Sequence, residues 1–143
     1  MLRMALFLCV ISVLPAPLAL SQSESGPPVP RILEAGFDAY RAGGPDEALR
    51  VWLRNSPLEG TGEIGKADQV LHAAQIQFGQ WRSFDIISDH TISRSTRVIY
   101  MTLDFDKGPL FAKFVLYRTE PGYIVTSVAF SPNDTDVLPA QPL

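Results

Sequence analysis

The sequence predicts a segregated α+β domain, three N-terminal helices packed on a curved four-stranded antiparallel meander. Three observations carry this reading. Apolar residues recur at three- and four-residue spacing as far as Trp81, and from Ser83 the period switches to two. The later apolar runs are separated by short segments rich in Asp, Gly, Pro and Ser, the residues of tight turns.

The first helix starts at Arg31. Leu33, Phe37 and Tyr40 form its apolar stripe, and Gly43-Gly44 ends it. Pro45 opens the second helix, with Asp46 and Glu47 in the first turn, where negative charge suits the positive helix end. Its apolar members are Ala48, Leu49, Trp52 and Leu53, and Asn55-Ser56-Pro57 terminates it. After Glu59-Gly60-Thr61-Gly62, a third helix carries Ala67, Val70, Leu71, Ala74, Phe78 and Trp81 on one stripe.

In the first strand Phe84, Ile86 and Ser88 alternate with Asp85, Ile87 and Asp89. Arg94-Ser95-Thr96-Arg97 marks the hairpin turn to the second strand, Arg97 to Phe105. There Ile99, Met101, Leu103 and Phe105 share one face, and Val98, Tyr100, Thr102 and Asp104 the other. Asp106-Lys107-Gly108-Pro109 turns the chain into a third strand, Leu110 to Arg118, which is apolar on both faces. That property places it inside the sheet or turns one face toward a partner subunit, so a homodimer through the sheet face is expected. Glu120-Pro121-Gly122-Tyr123 has the form of a type II turn. The fourth strand, Tyr123 to Phe130, sets Ile124, Thr126, Val128 and Phe130 against Tyr123, Val125, Ser127 and Ala129.

The ends of the chain read differently. Arg3, the apolar run Ala5 to Leu14 and the small residues Ala19-Leu20-Ser21 form a secretory signal over residues 1–21, cut before Gln22. Export to the periplasm or the extracellular space is therefore expected. Cys9, the single cysteine, lies in the apolar part of the signal, so the mature chain has no thiol and no disulfide. Residues 22–30 read as a disordered, proline-rich linker, 31–131 as the single domain, and 132–143 as a flexible tail. Twelve Lys and Arg against fifteen Asp and Glu give a net charge of −3, and 46 % of residues are hydrophobic. This composition excludes a disordered chain and argues against a nucleic-acid binder. Past the signal no apolar run approaches the roughly 18 residues of a membrane span.

Gly36-Phe37-Asp38-Ala39-Tyr40, Trp52-Leu53, Ser56-Pro57-Leu58-Glu59-Gly60, Lys107-Gly108-Pro109-Leu110-Phe111 and Leu116-Tyr117-Arg118-Thr119 occur on this order of elements. With them the chain resembles small secreted proteins of the nuclear transport factor 2-like and cystatin-like α+β group. The resemblance implies a bent antiparallel sheet packed on a long helix, over about residues 31 to 131. It implies no single function, because members range from isomerases and dehydratases to inert scaffolds. This chain has four clear strands and no helix between them, which argues against a deep closed pocket. Gln75-Ile76-Gln77-Phe78-Gly79 is similar to the inhibitory loop of cystatins, but it falls in a helical stripe and is read as coincidence.

No catalytic signature is present. A metal site would draw on His72 and His90, the only histidines, with Asp89 or Asp68; they lie on different elements, and surface or half-buried roles are expected instead. No cofactor is expected. For acid–base chemistry the best carboxylate is Asp104, which shares a strand face with Tyr100 and Thr102. An isomerase- or dehydratase-like enzyme with a carboxylate in the helix–sheet cavity is thus the alternative. The favoured reading is a non-catalytic binding or interaction module for a protein partner or a small apolar ligand. Its candidate ligand-binding residues are Phe37, Tyr40, Trp52, Phe78, Trp81, Tyr100 and Asp104, although the aromatic residues among them also suffice as the core.

Overall fold

The computed structural model describes residues 28–140, so the expected signal and most of the expected linker lie outside the described residues. Three helices precede four strands: α1 (Arg31–Gly43), α2 (Pro45–Trp52), α3 (Gly62–Phe78), β1 (Trp81–Thr91), β2 (Thr96–Phe105), β3 (Gly108–Thr119) and β4 (Gly122–Ser131). The strands form one antiparallel sheet in the order β1-β2-β3-β4. The α+β arrangement and the meander are therefore present. No helix among the described residues is long and apolar enough to cross a membrane.

The corner between α1 and α2 follows from its residues. Gly44 takes φ 83°, a left-handed value that favours glycine, and its N–H bonds to the Tyr40 carbonyl at 2.8 Å. Pro45 then occupies the first helical position. The two helices approach closely because Gly36 has no side chain: a Cβ there would lie 1.9 Å from Trp52 Nε1. Trp52 Nε1 instead donates to the Leu33 carbonyl at 3.2 Å, so the buried indole N–H is satisfied.

Trp81 is not on the third helix. Gly79, at φ 90°, donates its N–H to Gln75 O and ends α3, and Trp81 opens β1 opposite Phe105. The period thus changes two residues before Ser83. The turn after β3 also differs from expectation. It centres on Glu120-Pro121, with Thr119 opposite Gly122 and Thr119 Oγ1 donating to Gly122 O at 2.6 Å.

One face of the sheet carries the helices. Ile99, Met101 and Leu103 from β2, Leu110, Ala112, Phe114 and Leu116 from β3, and Val125 from β4 are wholly closed to solvent. They pack with Leu33, Phe37, Trp52 and Leu71 from the helices. Three extra residues shift the registers: Arg82 and Ile87 in β1, and Thr126 in β4. Each changes which residues face inward. Val125 pairs with Leu116 and is buried, whereas past Thr126 the inward set becomes Val128 and Phe130. The single alternation expected for this strand therefore breaks at Thr126, whose hydroxyl donates to Val115 O at 3.2 Å. Ile87 acts likewise, bringing Asp89 opposite the buried Ile99.

Both ends of the domain are tied down. Val29 packs against the core and Pro28 O accepts a bond from Arg97 Nη2 at 3.2 Å, so the last residues of the expected linker are held. In the expected flexible tail, a 3-10 turn over Asp134–Asp136 places Val137 in a buried position. Ser131 Oγ donates to Asp136 Oδ2 at 2.7 Å and fixes this turn to the end of β4.

Candidate functional site

Phe37, Tyr40, Trp52, Phe78 and Trp81 come together in the layer between helices and sheet. Phe37 meets Trp52 edge-on at 5.1 Å between ring centroids and stacks on Trp81 at 5.6 Å. Tyr40 lies 5.5 Å from the Trp81 ring, and Phe78 6.4 Å from Phe105. These rings fill the layer with one another and with Phe84, Phe114 and Phe130. Tyr100 and Asp104 are not with them. Their neighbours along β2, Ile99, Met101, Leu103 and Phe105, face the helices, so parity puts Tyr100 and Asp104 on the opposite side of the sheet. There His90 packs edge-on against Tyr100 at 6.3 Å, the Lys113 ammonium lies 5.8 Å from the Tyr100 ring centroid, and Asp104 accepts a bond from Ser83 Oγ at 3.2 Å.

Tyr40 and Trp81 also border a groove of about 380 Å³ between the end of α1, the end of α3 and the start of β1. Arg41, Gly44, Gln75 and Gln80 complete its walls, and the Arg41 guanidinium lies 5.3 Å from the Trp81 ring centroid. Three buried polar atoms of the wall residues have no partner among the described residues: Tyr40 Oη, Gln75 Oε1 and Trp81 Nε1. Two can donate and one accepts, and leaving such groups unpaired costs about 1–3 kcal/mol each. Burial pushes the Tyr40 hydroxyl up to about 12, so it keeps its proton across the ordinary pH range and is a donor, not a base. In the sequence Gln75 stood out only within Gln75-Ile76-Gln77-Phe78-Gly79, the segment read as a coincidental likeness, and nothing there pointed to this groove.

The side of the sheet away from the helices is open. Phe111, Val115 and Tyr117 from β3 project there, alternating with buried Leu110, Ala112, Phe114 and Leu116. Phe111 and Val115 are half-buried by cross-strand neighbours, and Tyr117 is 47 % exposed. Ile87 adds exposed apolar surface on the edge strand β1.

Beyond the exposed pairs Asp38–Arg41 and Glu47–Arg50 within single helices, charged groups meet between elements at three places among the described residues. Arg97 and Asp89 form a two-pronged ion pair, with Arg97 Nε 2.7 Å from Asp89 Oδ1 and side chains only 10 % and 9 % exposed. Asp106 accepts the Gln80 N–H at 2.8 Å and pairs with Arg82, contacts that hold its carboxyl below the usual carboxylate range. The third cluster, Asp46, Asp68 and His72, joins α2 to α3. His72 Nε2 lies 2.9 Å from Asp46 Oδ1 and 3.3 Å from Asp68 Oδ1. Its Asp46 bond raises the imidazole pKa, and desolvation together with the Asp46 carboxyl raises that of Asp68. Asp46 and His72 are 26 positions apart, and only the packing of α2 against α3 brings them together. No protein-family model, no curated protein and no solved structure matches the chain.

Proposed function

We propose that this chain is an exported, non-catalytic interaction module of the nuclear transport factor 2-like or cystatin-like kind. It recognises a protein partner with the open face of its sheet, and a second copy of the chain is the first partner to consider. The observation that carries this reading is the two-sided β3, whose Phe111, Val115 and Tyr117 have no second layer over them among the described residues. Size agrees. Four strands of about ten residues, at about 3.3 Å per residue and 4.8 Å between strands, make a face of roughly 600 Å². A stable interface buries about 800 Å² on each partner. Export rests on the signal pattern of residues 1–21.

Native mass spectrometry of the secreted protein, with no step that strips ligands, tests the reading. The expected species is a dimer of chains beginning at Gln22, and Val115→Lys returns it to a folded monomer. A wild-type protein that stays monomeric at its highest soluble concentration, with rapid amide exchange along the outer strands, overturns it. A monomer that carries a reproducible small mass would transfer the binding role to the groove at Tyr40 and Trp81.

A further inference from the structure

The geometry points to a divalent transition-metal site formed by His72 Nε2 with one carboxylate oxygen each from Asp46 and Asp68, an ion that would staple α2 to α3. Asp68 and His72 stand four residues apart on α3, a spacing that sets two donors one above the other on the same helix face. The first turn of α2 supplies the third donor from the side. One ligand atom of each residue lies within 4.8 Å of the other two. Ligands of a tetrahedral zinc ion at about 2.1 Å stand about 3.4 Å apart, so the 2.9 Å and 3.3 Å contacts need only small adjustments.

The donor chemistry narrows the ion. One imidazole and two carboxylates suit Zn²⁺, Cu²⁺ or Ni²⁺, while Ca²⁺ and Mg²⁺ prefer oxygen alone. Charge argues the same way. Two carboxylates converge on a single imidazole, which carries at most one positive charge, and a dication neutralises the set. Asp46, Asp68 and His72 side chains are 74 %, 38 % and 46 % exposed, so the ion reaches them from solvent and retains positions for water or a partner's donor. A groove of about 370 Å³ opens beside the carboxylates, floored by Leu49 and Leu53 and edged by Arg50 and Glu59. Arg50 on that edge pairs with Glu47, and Glu59 Oε2 accepts the Asn55 N–H at 3.1 Å.

Isothermal titration of the chelator-treated full-length mature chain with Zn²⁺ alone tests the assignment. The expected result is one ion per chain, a rise in Tm on addition of Zn²⁺, and a shift of the His72 Nε2 resonance. Affinity should fall at least about tenfold in His72→Ala and in Asp46→Asn, the smallest loss seen even for outer-shell partners of a metal. His90→Ala, on the open sheet face, should bind like wild type and serves as the control. Absence of heat and of any Tm shift overturns the site, leaving a hydrogen-bonded link between helices. Binding that survives both His72→Ala and Asp46→Asn overturns it equally.

Discussion

The two faces of the sheet are made from alternate residues of the same strands, yet they do different work. On the covered face Leu110, Ala112, Phe114 and Leu116 are wholly closed to solvent and interlock with helical side chains. On the open face Phe111 and Val115 are half-buried and Tyr117 is exposed. Burial of apolar surface is what a core side chain contributes to stability, at about 25 cal/mol per Å². The covered face therefore holds the fold, and the open face retains apolar surface that folding does not use. Residues of nearly equal hydrophobicity, one position apart, are divided between the core and the solvent-facing surface only by strand parity.

Substitutions on β3 test that division most directly. Phe114→Ala should cost about 3–5 kcal/mol in chemical denaturation, through lost burial and the cavity it leaves. Val115→Lys, its neighbour on the other face, should cost no more than about 1 kcal/mol. Equal losses would erase the distinction between the faces. Arg97→Met extends the test to a charge at the covered end of the sheet. It strands the buried Asp89 carboxylate, and a loss of about 3 kcal/mol is expected in the same measurement.

At the margin of the covered layer the sign changes. Tyr40→Phe removes a buried hydroxyl that has no partner among the described residues, and should raise stability by up to about 1 kcal/mol. A loss of stability would reveal that the hydroxyl is paired in solution. The smallest effect belongs to His72, outside both faces. Its pKa is raised in the folded chain, chiefly by its Asp46 bond. The stability it contributes is fully present below its unfolded value of about 6.5 and disappears as pH rises through the raised folded value. In chelator-treated protein, His72→Ala should therefore lower Tm slightly in mild acid and leave it unchanged in mild alkali.

Much of this architecture is legible in the chain because its signals are local. Gly44-Pro45-Asp46 encodes the end of one helix and the start of the next with a free backbone angle, a fixed one and a charge. Trp81 shows the limit. Its spacing from Phe78 and Ala74 continues the helical stripe, and only the left-handed Gly79 diverts it into a strand. The bulges at Ile87 and Thr126 leave no residue signature, because both side chains suit either face of a strand. Without them parity misassigns Asp89 and the start of β4. Among the candidate residues, the aromatic set was legible as a packed group. Tyr100 and Asp104 lie apart from it, since a shared strand face does not say which face the helices cover. The Asp46, Asp68 and His72 cluster was the least legible, because its donors meet only after α2 has docked on α3.

The meander has a consequence for the order of folding. Every strand pairs with its neighbour in sequence, and the loop between β1 and β2, Ile92 to Ser95, is four residues long. Such contacts close short loops, and a sheet made of them propagates hairpin by hairpin. Two bonds run across that local order: Ser56 Oγ to Val125 O and Arg97 Nη2 to Pro28 O, each spanning 69 positions. Relative to that four-residue hairpin loop, closing such a span is roughly four doublings of loop length, about 2.5 kcal/mol of chain entropy. Pairing the strands therefore needs neither bond, and these two contacts that fasten the helical half of the chain to the sheet carry the larger closure cost.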